Sequence, residues 1–439
     1  MATRLNALDP GFEDAFQRLL EAKRETGADV NDTVRAILSD VRNRGDAAVI
    51  DYTSKFDGFE LTPESMAFSA DEIAGARQQC SPDVLDALET AAARITDYHR
   101  RQIPENLDYT DDAGVRLGYR WTPVQAVGLY VPGGTAAYPS SVLMNALPAK
   151  IAGVERLAMV VPTPGGEINP LVLAAAAIAG VDEIYRIGGA QAVGALAYGT
   201  ETVAGVDKIV GPGNAYVAAA KRQVFGAVGI DMVAGPSEIL VLADAANDPA
   251  WIAADLMSQA EHDTSAQAIL ITDDAGFADA VLEAVEDCLK TLARAETAAA
   301  SWRDFGAVIV VDDLADAVPL IDRMAPEHLE IATEDPDALA AKVRNAGAIF
   351  LGRYTPEALG DYVAGPNHVL PTARSARFSS GLGVLDFVKR TSIIGCDADA
   401  LKKIGPVAVS LATAEGLDAH GLSVTVRLNQ LRENSSGNS

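Results

Sequence analysis

Residues 10–102 carry apolar positions at three- and four-residue spacing, as in Phe16, Leu19 and Leu20 and again in Val84, Leu85 and Leu88. That is the period of helices with one buried face, and a helical N-terminal region is predicted. From about residue 116 the pattern changes. Apolar runs at 125–131, 157–161, 183–187 and 208–210 read as strands, and the segments 140–151, 170–178 and 215–225 between them as helices. Strand, crossover helix, strand is the pattern of a parallel sheet. After Ala234-Gly-Pro-Ser237 the alternation resumes with strands at 239–243, 268–272 and 307–311, which makes a second α/β unit. Beyond about residue 380 a short tail with Gly-rich turns is expected, with a strand-like Val424-Thr-Val-Arg and a disordered end over 434–439. No internal repeat of 20–50 residues is found.

A chain of 439 residues exceeds one ordinary core and suits two to four domains. Its 49% apolar content with few aromatics fits an Ala/Val/Gly-rich α/β enzyme. The 35 Lys and Arg against 61 Asp and Glu give a net charge of −26, which repels a phosphate backbone and anionic lipid. Nucleic acid and membrane surfaces are therefore not expected as partners. Asp9, Glu13 and Asp14 interrupt the start of the chain where a secretory signal needs an apolar run, and no segment reaches the roughly 18 apolar residues of a membrane span. Cys80, Cys288 and Cys396 are widely spaced with no C-x-x-C pair, so neither a disulfide framework nor a thiolate zinc site is indicated and a cytoplasmic location is expected.

Four of the five histidines stand in short polar clusters: Gln259-Ala-Glu-His262-Asp, Pro326-Glu-His328, Gly365-Pro-Asn-His368 and Asp418-Ala-His420-Gly, with His99 elsewhere. Imidazole is both a common zinc ligand and the side chain that titrates nearest neutral pH, so the clusters point to metal-assisted or acid/base chemistry. Gln259 and His262, three apart on a helix begun by Asp248-Pro, share a face and could approach one ion; a helix end stabilised by His262 is the plainer alternative. The pattern is not H-E-x-x-H, so a zincin protease is not supported. Glu327 and His328 could supply two proton-transfer groups if both face a cleft, although adjacent strand residues point to opposite faces and a solvated turn is equally compatible. Asp361 is a candidate hard-oxygen ligand or a surface carboxylate. Gly365-Pro366 should end the preceding helix and put His368 on a loop, and His420 on its own would be an ordinary tail histidine.

A weaker signal concerns nucleotides. Gly211-Pro-Gly213-Asn-Ala-Tyr216 follows a strand and opens a helix, the context in which backbone amides cradle a phosphate, but it lacks the third glycine of G-x-G-x-x-G. Val131-Pro-Gly-Gly134 and Ile187-Gly-Gly-Ala-Gln191 also lie at strand ends, where glycine serves tight turns as well as ligands.

Taken together, Gly128-Leu-Tyr130-Val-Pro-Gly-Gly, Gly211-Pro-Gly-Asn214-Ala-Tyr-Val, Asp231-Met-Val-Ala-Gly-Pro-Ser237-Glu, Ser258-Gln259-Ala-Glu-His262-Asp, Ala325-Pro-Glu327-His328-Leu and Gly365-Pro-Asn-His368-Val-Leu-Pro-Thr closely resemble the histidinol dehydrogenase family. The likeness continues through Lys389-Arg-Thr-Ser-Ile-Ile394 to Glu415-Gly-Leu-Asp-Ala-His420, with no departure at a position the family uses. The resemblance implies an α/β fold of two Rossmann-like parallel-sheet domains, with an N-terminal helical arm (1–25) and a small C-terminal tail domain (382–439). The first Rossmann-like domain would take 26–129 and 239–381, and the second, NAD-binding one 130–238.

The resemblance further implies one zinc ion per subunit, held by Gln259, His262, Asp361 and His420, and oxidation of L-histidinol to L-histidine in two NAD-coupled steps through histidinal. Glu327 and His328 match the family's acid/base pair. Ser237, His368 and Glu415 match substrate-contacting positions, together with Gln259, His262, His328, Asp361 and His420. Tyr130, Gln191 and Asn214 match NAD-contacting ones. An intertwined homodimer is implied, in which the tail of one subunit brings Glu415 and His420 to the other's site. The competing readings are a zinc hydrolase using Glu327 and His328 on water, a related zinc and NAD dehydrogenase of another small amino or hydroxy alcohol, and a non-catalytic binding protein on the same fold.

Overall fold

A computed structural model describes residues 2–22, 30–133, 138–233 and 235–436. The chain divides into two compact units, one of residues 1–102 with 124–387 and one of 103–123 with 388–439. The first is an α/β unit built on two parallel sheets. In chain order its strands are β1 (Thr3–Asn6), then β4 (Ala126–Tyr130) to β8, namely β5 (Arg156–Val160), β6 (Glu183–Tyr185), β7 (Lys208–Val210) and β8 (Gly229–Ile230). The later ones are β9 (Glu238–Ala243), β10 (Gln267–Thr272), β11 (Ala307–Val310), β12 (His328–Ala332) and β13 (Ala348–Leu351). Strands β2 (Leu107–Thr110), β3 (Arg116–Pro123) and β14 (Val388–Gly395) belong to the second unit.

The five-stranded sheet runs β6-β5-β4-β7-β8 and the six-stranded sheet β1-β11-β10-β9-β12-β13. Each is wound outward from its first long strand in one direction and then in the other, so the order reverses between β4 and β7 and again between β9 and β12. That is the half-sheet order of nucleotide-binding folds, in which ligands enter where the order reverses, at the carboxyl ends of the strands.

Both sheets are covered on both faces, and this explains their nearly continuous apolar strands. In β4 and β5, Ala126, Tyr130, Ala158 and Val160 join one core with Val34, Ile37 and Val193. The alternate residues Val127, Leu129, Leu157 and Met159 join another with Ile95, Leu143 and Leu173. The six-stranded sheet divides likewise, Ile239, Val241 and Leu270 to one side and Leu240, Ile271 and Ile331 to the other. Burial of this kind is worth roughly 1.5–3 kcal/mol for each large aliphatic side chain.

The helical reading of 10–102 holds in segments, at Phe12–Glu21, Asn31–Arg44, Asp46–Asp57, Pro63–Met66, Ala70–Gln79 and Pro82–Arg100, while 23–29 lie outside the described residues. Local chemistry sets several starts: Asn169 and Asp248 each accept a backbone N–H from two residues on, with a proline at the first helical position.

The second unit pairs β14, β3 and β2 antiparallel and adds the helices Ala398–Ala414 and Asp418–Ser436, which pack on each other. Here the sequence reading needs two corrections. Val424-Thr-Val-Arg is helical, because packing along the neighbouring helix outweighs the strand preference of its β-branched residues. Residues 434–436, expected to be disordered, continue that helix, and 437–439 lie outside the described residues. The tail helices carry exposed Val407, Leu411 and Leu422. No described helix is long and apolar enough to cross a membrane.

Candidate active site

His328 is the first residue of β12 and lies in register with Ile239 of β9, so the side chains gather at the amino ends of the central strand pair. The carboxyl ends of the same two strands are closed instead. Arg353 pairs with Asp244 at 2.7 Å, and Asn247 donates to Ala332 O at 2.6 Å.

His328 Nδ1 lies 2.9 Å from Glu238 O. A carbonyl only accepts, so Nδ1 carries the proton and Nε2 presents a lone pair. Burial pushes the His328 imidazole down to about 4, so it is neutral at pH 7. Nε2 has no hydrogen-bond partner among the described residues. Glu327 is buried beside it, its Oε2 accepting from Glu238 N at 2.9 Å and lying 3.7 Å from His328 Nδ1. Adjacent residues thus reach one place because Glu327 precedes the strand and is turned back onto β9, which removes the solvated-turn alternative.

The short helix Glu357–Tyr362 supplies Asp361, four residues and about one turn after Glu357. Asp361 Oδ1 lies 4.0 Å from His328 Nε2 and 3.7 Å from His368 Nδ1. His368 sits on the loop expected after Gly365-Pro366. Its Nδ1 donates to Asp361 O at 2.9 Å and its Nε2 lies 3.2 Å from Ser141 Oγ, so both ring nitrogens are engaged by the protein. Burial lowers its pKa as well. Ser141 belongs to the helix Pro139–Ala152 beside the five-stranded sheet, and Asn367 donates to Met144 O of that helix at 2.6 Å. The His368 loop therefore joins the histidine site to the other sheet.

Gln259, in the last turn of the helix Pro249–Ala260, is fully buried and donates from Nε2 to His262 Nδ1 at 3.3 Å. Its Oε1 is buried with no partner among the described residues. His262 is exposed, yet near enough for its charge to depress both His328 and His368. Ser237 is partly buried just before β9, and its carbonyl accepts from Gln267 N at 3.0 Å. Glu415 and His420 lie in the second unit, both exposed, at the end of one tail helix and the start of the next.

Sequence reasoning missed three carboxyls behind these residues, Glu357 and Glu330 buried and Asp255 partly so. Glu357 Oε1 lies 3.6 Å from His328 Nε2, Ser258 Oγ donates to Glu357 Oε2 at 3.3 Å, and Glu357 N donates to the Glu330 carboxylate. Burial, followed by the Asp361 charge, pushes Glu357 up to about 9. Burial also raises Glu330, which is hydrogen-bonded to Asp255, and pushes Asp255 up to about 6. The one signal for Glu357 was its spacing of four from Asp361. His328, Glu357 and Asp361 each present a ligand atom within 4.8 Å of the others.

At the order reversal of the five-stranded sheet stand the other singled-out residues. The Tyr130 hydroxyl is buried and accepts from Gly189 N at 3.0 Å, tying the end of β4 to the start of the helix Gly189–Tyr198. Gln191 on that helix is buried with Oε1 lacking a partner among the described residues. Asn214 is exposed and caps the helix Ala215–Val224. Residues 134–137 of the neighbouring loop lie outside the described set.

The family profile of histidinol dehydrogenase matches residues 20–428. The chain is 69% identical over 431 residues to histidinol dehydrogenase of Rhodospirillum rubrum, covering 98% of this chain and 99% of that one. It is 68% identical over 429 residues to that of Rhizobium meliloti, again covering 98% and 99%. The crystal structure of histidinol dehydrogenase from Elizabethkingia anophelis superposes with a TM-score of 0.94 at 36% identity, covering 98% of this chain and 99% of that one. With a profile match across nearly the whole sequence and relatives at this identity, the chain belongs to the histidinol dehydrogenase family.

Proposed function

We propose that this chain is a zinc-dependent enzyme that oxidises L-histidinol to L-histidine through histidinal in two NAD-coupled steps, in the cytoplasm and as an intertwined homodimer. The observation that carries the reading is the buried His328 tautomer, whose Nδ1–H is committed to Glu238 O and whose Nε2 lone pair is left facing Asp361 and Glu357. Such a nitrogen is unprotonated at neutral pH and able to accept a proton from a group brought against it.

His328 Nε2 would take the hydroxyl proton of histidinol as the carbinol hydrogen leaves as hydride. The aldehyde then needs water: Glu327 would remove a proton from that water as its oxygen bonds to the carbonyl carbon, and protonated His328 would return its proton to the carbonyl oxygen, giving the hydrate and freeing Nε2 for the second step. His328 would accept a hydroxyl proton again during the second hydride loss, and the product leaves as the carboxylate. Nicotinamide, when bound, supplies the hydride acceptor for both oxidations. The order reversal between β4 and β7 supports its placement there, beside the orphaned Gln191 Oε1.

The zinc reading is supported by the buried, unpartnered Gln259 Oε1, next to His262 and in a donor set without thiolate. Gln259, His262, Asp361 and His420 would hold the ion, which would supply a Lewis-acid anchor for substrate nitrogen. His420 and Glu415 would come from the partner subunit, and the exposed apolar residues of the tail helices favour burial of that surface against a second copy. Ser237 and His368 would contact substrate.

Turnover of L-histidinol with NAD, with and without chelator, tests the proposal. Two NADH per histidine, lost on chelation, are expected. Release of one NADH per histidinol with free aldehyde contradicts the two-step reading, and product formed without NAD contradicts the dehydrogenase itself.

A further inference from the structure

Lys221 and Asp231 form an ion pair sealed from solvent, at 2% and 1% exposure, and neither takes part in the proton transfers above. Burying two charges carries a desolvation cost that apolar neighbours would avoid, so the pair is weak as a simple stabiliser. Its bonds indicate another task. Lys221 Nζ donates to Gly211 O at 2.8 Å, and Gly211 N donates to Asp231 Oδ2 at 2.8 Å. Both backbone polar groups of one residue are therefore held by the two halves of the pair.

That residue opens the loop Gly211-Pro-Gly-Asn214. Gly211 has φ +109°, where L side chains are strained, and a Cβ there would lie 2.1 Å from Tyr130 O at the end of β4. The loop is thus pressed onto the neighbouring strand at the point where the sheet order reverses. Its far end is fixed separately, since Asn214 Oδ1 accepts from Tyr216 N and Val217 N at 3.1 and 3.2 Å. Lys221 comes from the helix that the loop opens, and Asp231 from the residue after β8.

We propose that Lys221 and Asp231 are positioning residues for the dinucleotide, clamping the Gly211–Asn214 loop in the shape that meets it. The inference rests on the reading that NAD binds at this end of the five-stranded sheet. Neither side chain touches the reacting atoms. Loosening the clamp leaves the loop to be ordered at each binding event, which weakens cofactor binding without altering the chemical step.

The full-length Lys221→Met/Asp231→Asn double variant removes both charges with little change in volume and leaves no lone buried charge. The expected result is a cooperative melt near the parent's, a KM for NAD raised about tenfold or more, and kcat and the KM for histidinol within about twofold. Amide hydrogen exchange at Gly211 should be faster. The double variant Lys221→Gln/Asp231→Asn also leaves no buried charge but keeps an amide donor and an acceptor for the Gly211 backbone, and should raise the KM for NAD less; it replaces the first variant if that one does not fold. A folded variant whose KM for NAD stays within about twofold overturns the proposal. So does a loss shared equally by kcat and both KM values, which marks general structural damage. If calorimetry finds no NAD binding to the parent protein, the cofactor reading fails, and unchanged Gly211 exchange in the variant then overturns the clamp on its own terms.

Discussion

His328 Nε2 faces Glu357 Oε1 across 3.6 Å, and neither atom has a hydrogen-bond partner among the described residues. The distance exceeds a hydrogen bond, so the two atoms do not satisfy each other and require a third polar group. A substrate hydroxyl meets that requirement, and this makes the pair the natural starting point for mutation.

Replacing His328 by Gln should lower kcat by about 10²- to 10⁴-fold, the range of a lost general base. The KM for NAD should change little, since His328 lies at the six-stranded sheet and the cofactor is assigned to the other. Steady-state kinetics with calorimetric NAD titration separates the two. A variant retaining more than a tenth of parental kcat would remove His328 from proton transfer.

The buried groups give stability a pH dependence whose sign differs between them. Glu357 is raised to about 9 from an ordinary 4.5, so folding retains a proton that the unfolded chain gives up. Its contribution is complete below pH 4.5 and is lost as pH rises toward 9. His328, lowered to about 4 from 6.5, acts in reverse, leaving stability intact above pH 6.5 and reducing it as pH falls toward 4. Glu357→Gln should therefore stabilise the metal-free protein at pH 8, by on the order of 2 kcal/mol, and much less at pH 5. Thermal melts at the two pH values with chelator present check this; equal shifts at both would show that Glu357 is ionised in the fold.

Gln259→Leu should weaken zinc binding at least about tenfold, read by competition with a metal indicator. The metal-free variant should melt at or above the parental temperature, because an unpartnered buried oxygen is removed along with the amide. A large drop in the metal-free melting temperature would mean that the Nε2 bond to His262 outweighs it.

Mixing inactive His420→Ala chains with inactive His328→Ala chains should restore about a quarter of parental activity. Half of the dimers would then be mixed, and each would carry one complete site. No recovery after subunit exchange, verified by differently tagged chains, would place His420 in its own subunit's site.

Much of this was readable in advance. The strands of both sheets are short apolar runs bounded by turn residues, and burial on both faces makes such runs unambiguous, as in Ile239–Ala243 and Leu157–Val161. The tail was harder. Val424, Thr425 and Val426 carry strand preference, and only the adjacent helix turns them into helix. Of the histidine clusters, those of His328 and His368 converge beside Asp361. Whether Glu327 and His328 share a face was not legible, because it depends on a bond from Glu238 N, supplied by a strand far away in sequence. Glu357 was missed for a similar reason. It reads as a surface helix residue, and its burial arises where Ser258, Glu330 and His328 converge from three other segments.

The closed carboxyl ends of β9 and β12 bear on how such folds are interpreted. Superposing the two sheets on their common winding would lay Asp244, the residue after β9, over Val131, the residue after β4. One twin carries a glycine-rich segment after that strand, while the other is plugged there by a guanidinium and a carboxylate. Winding dictates where a gap can form, whereas the few residues that line it decide whether it is left vacant. In the plugged twin, the buried histidine and carboxyl cluster stands at the opposite rim.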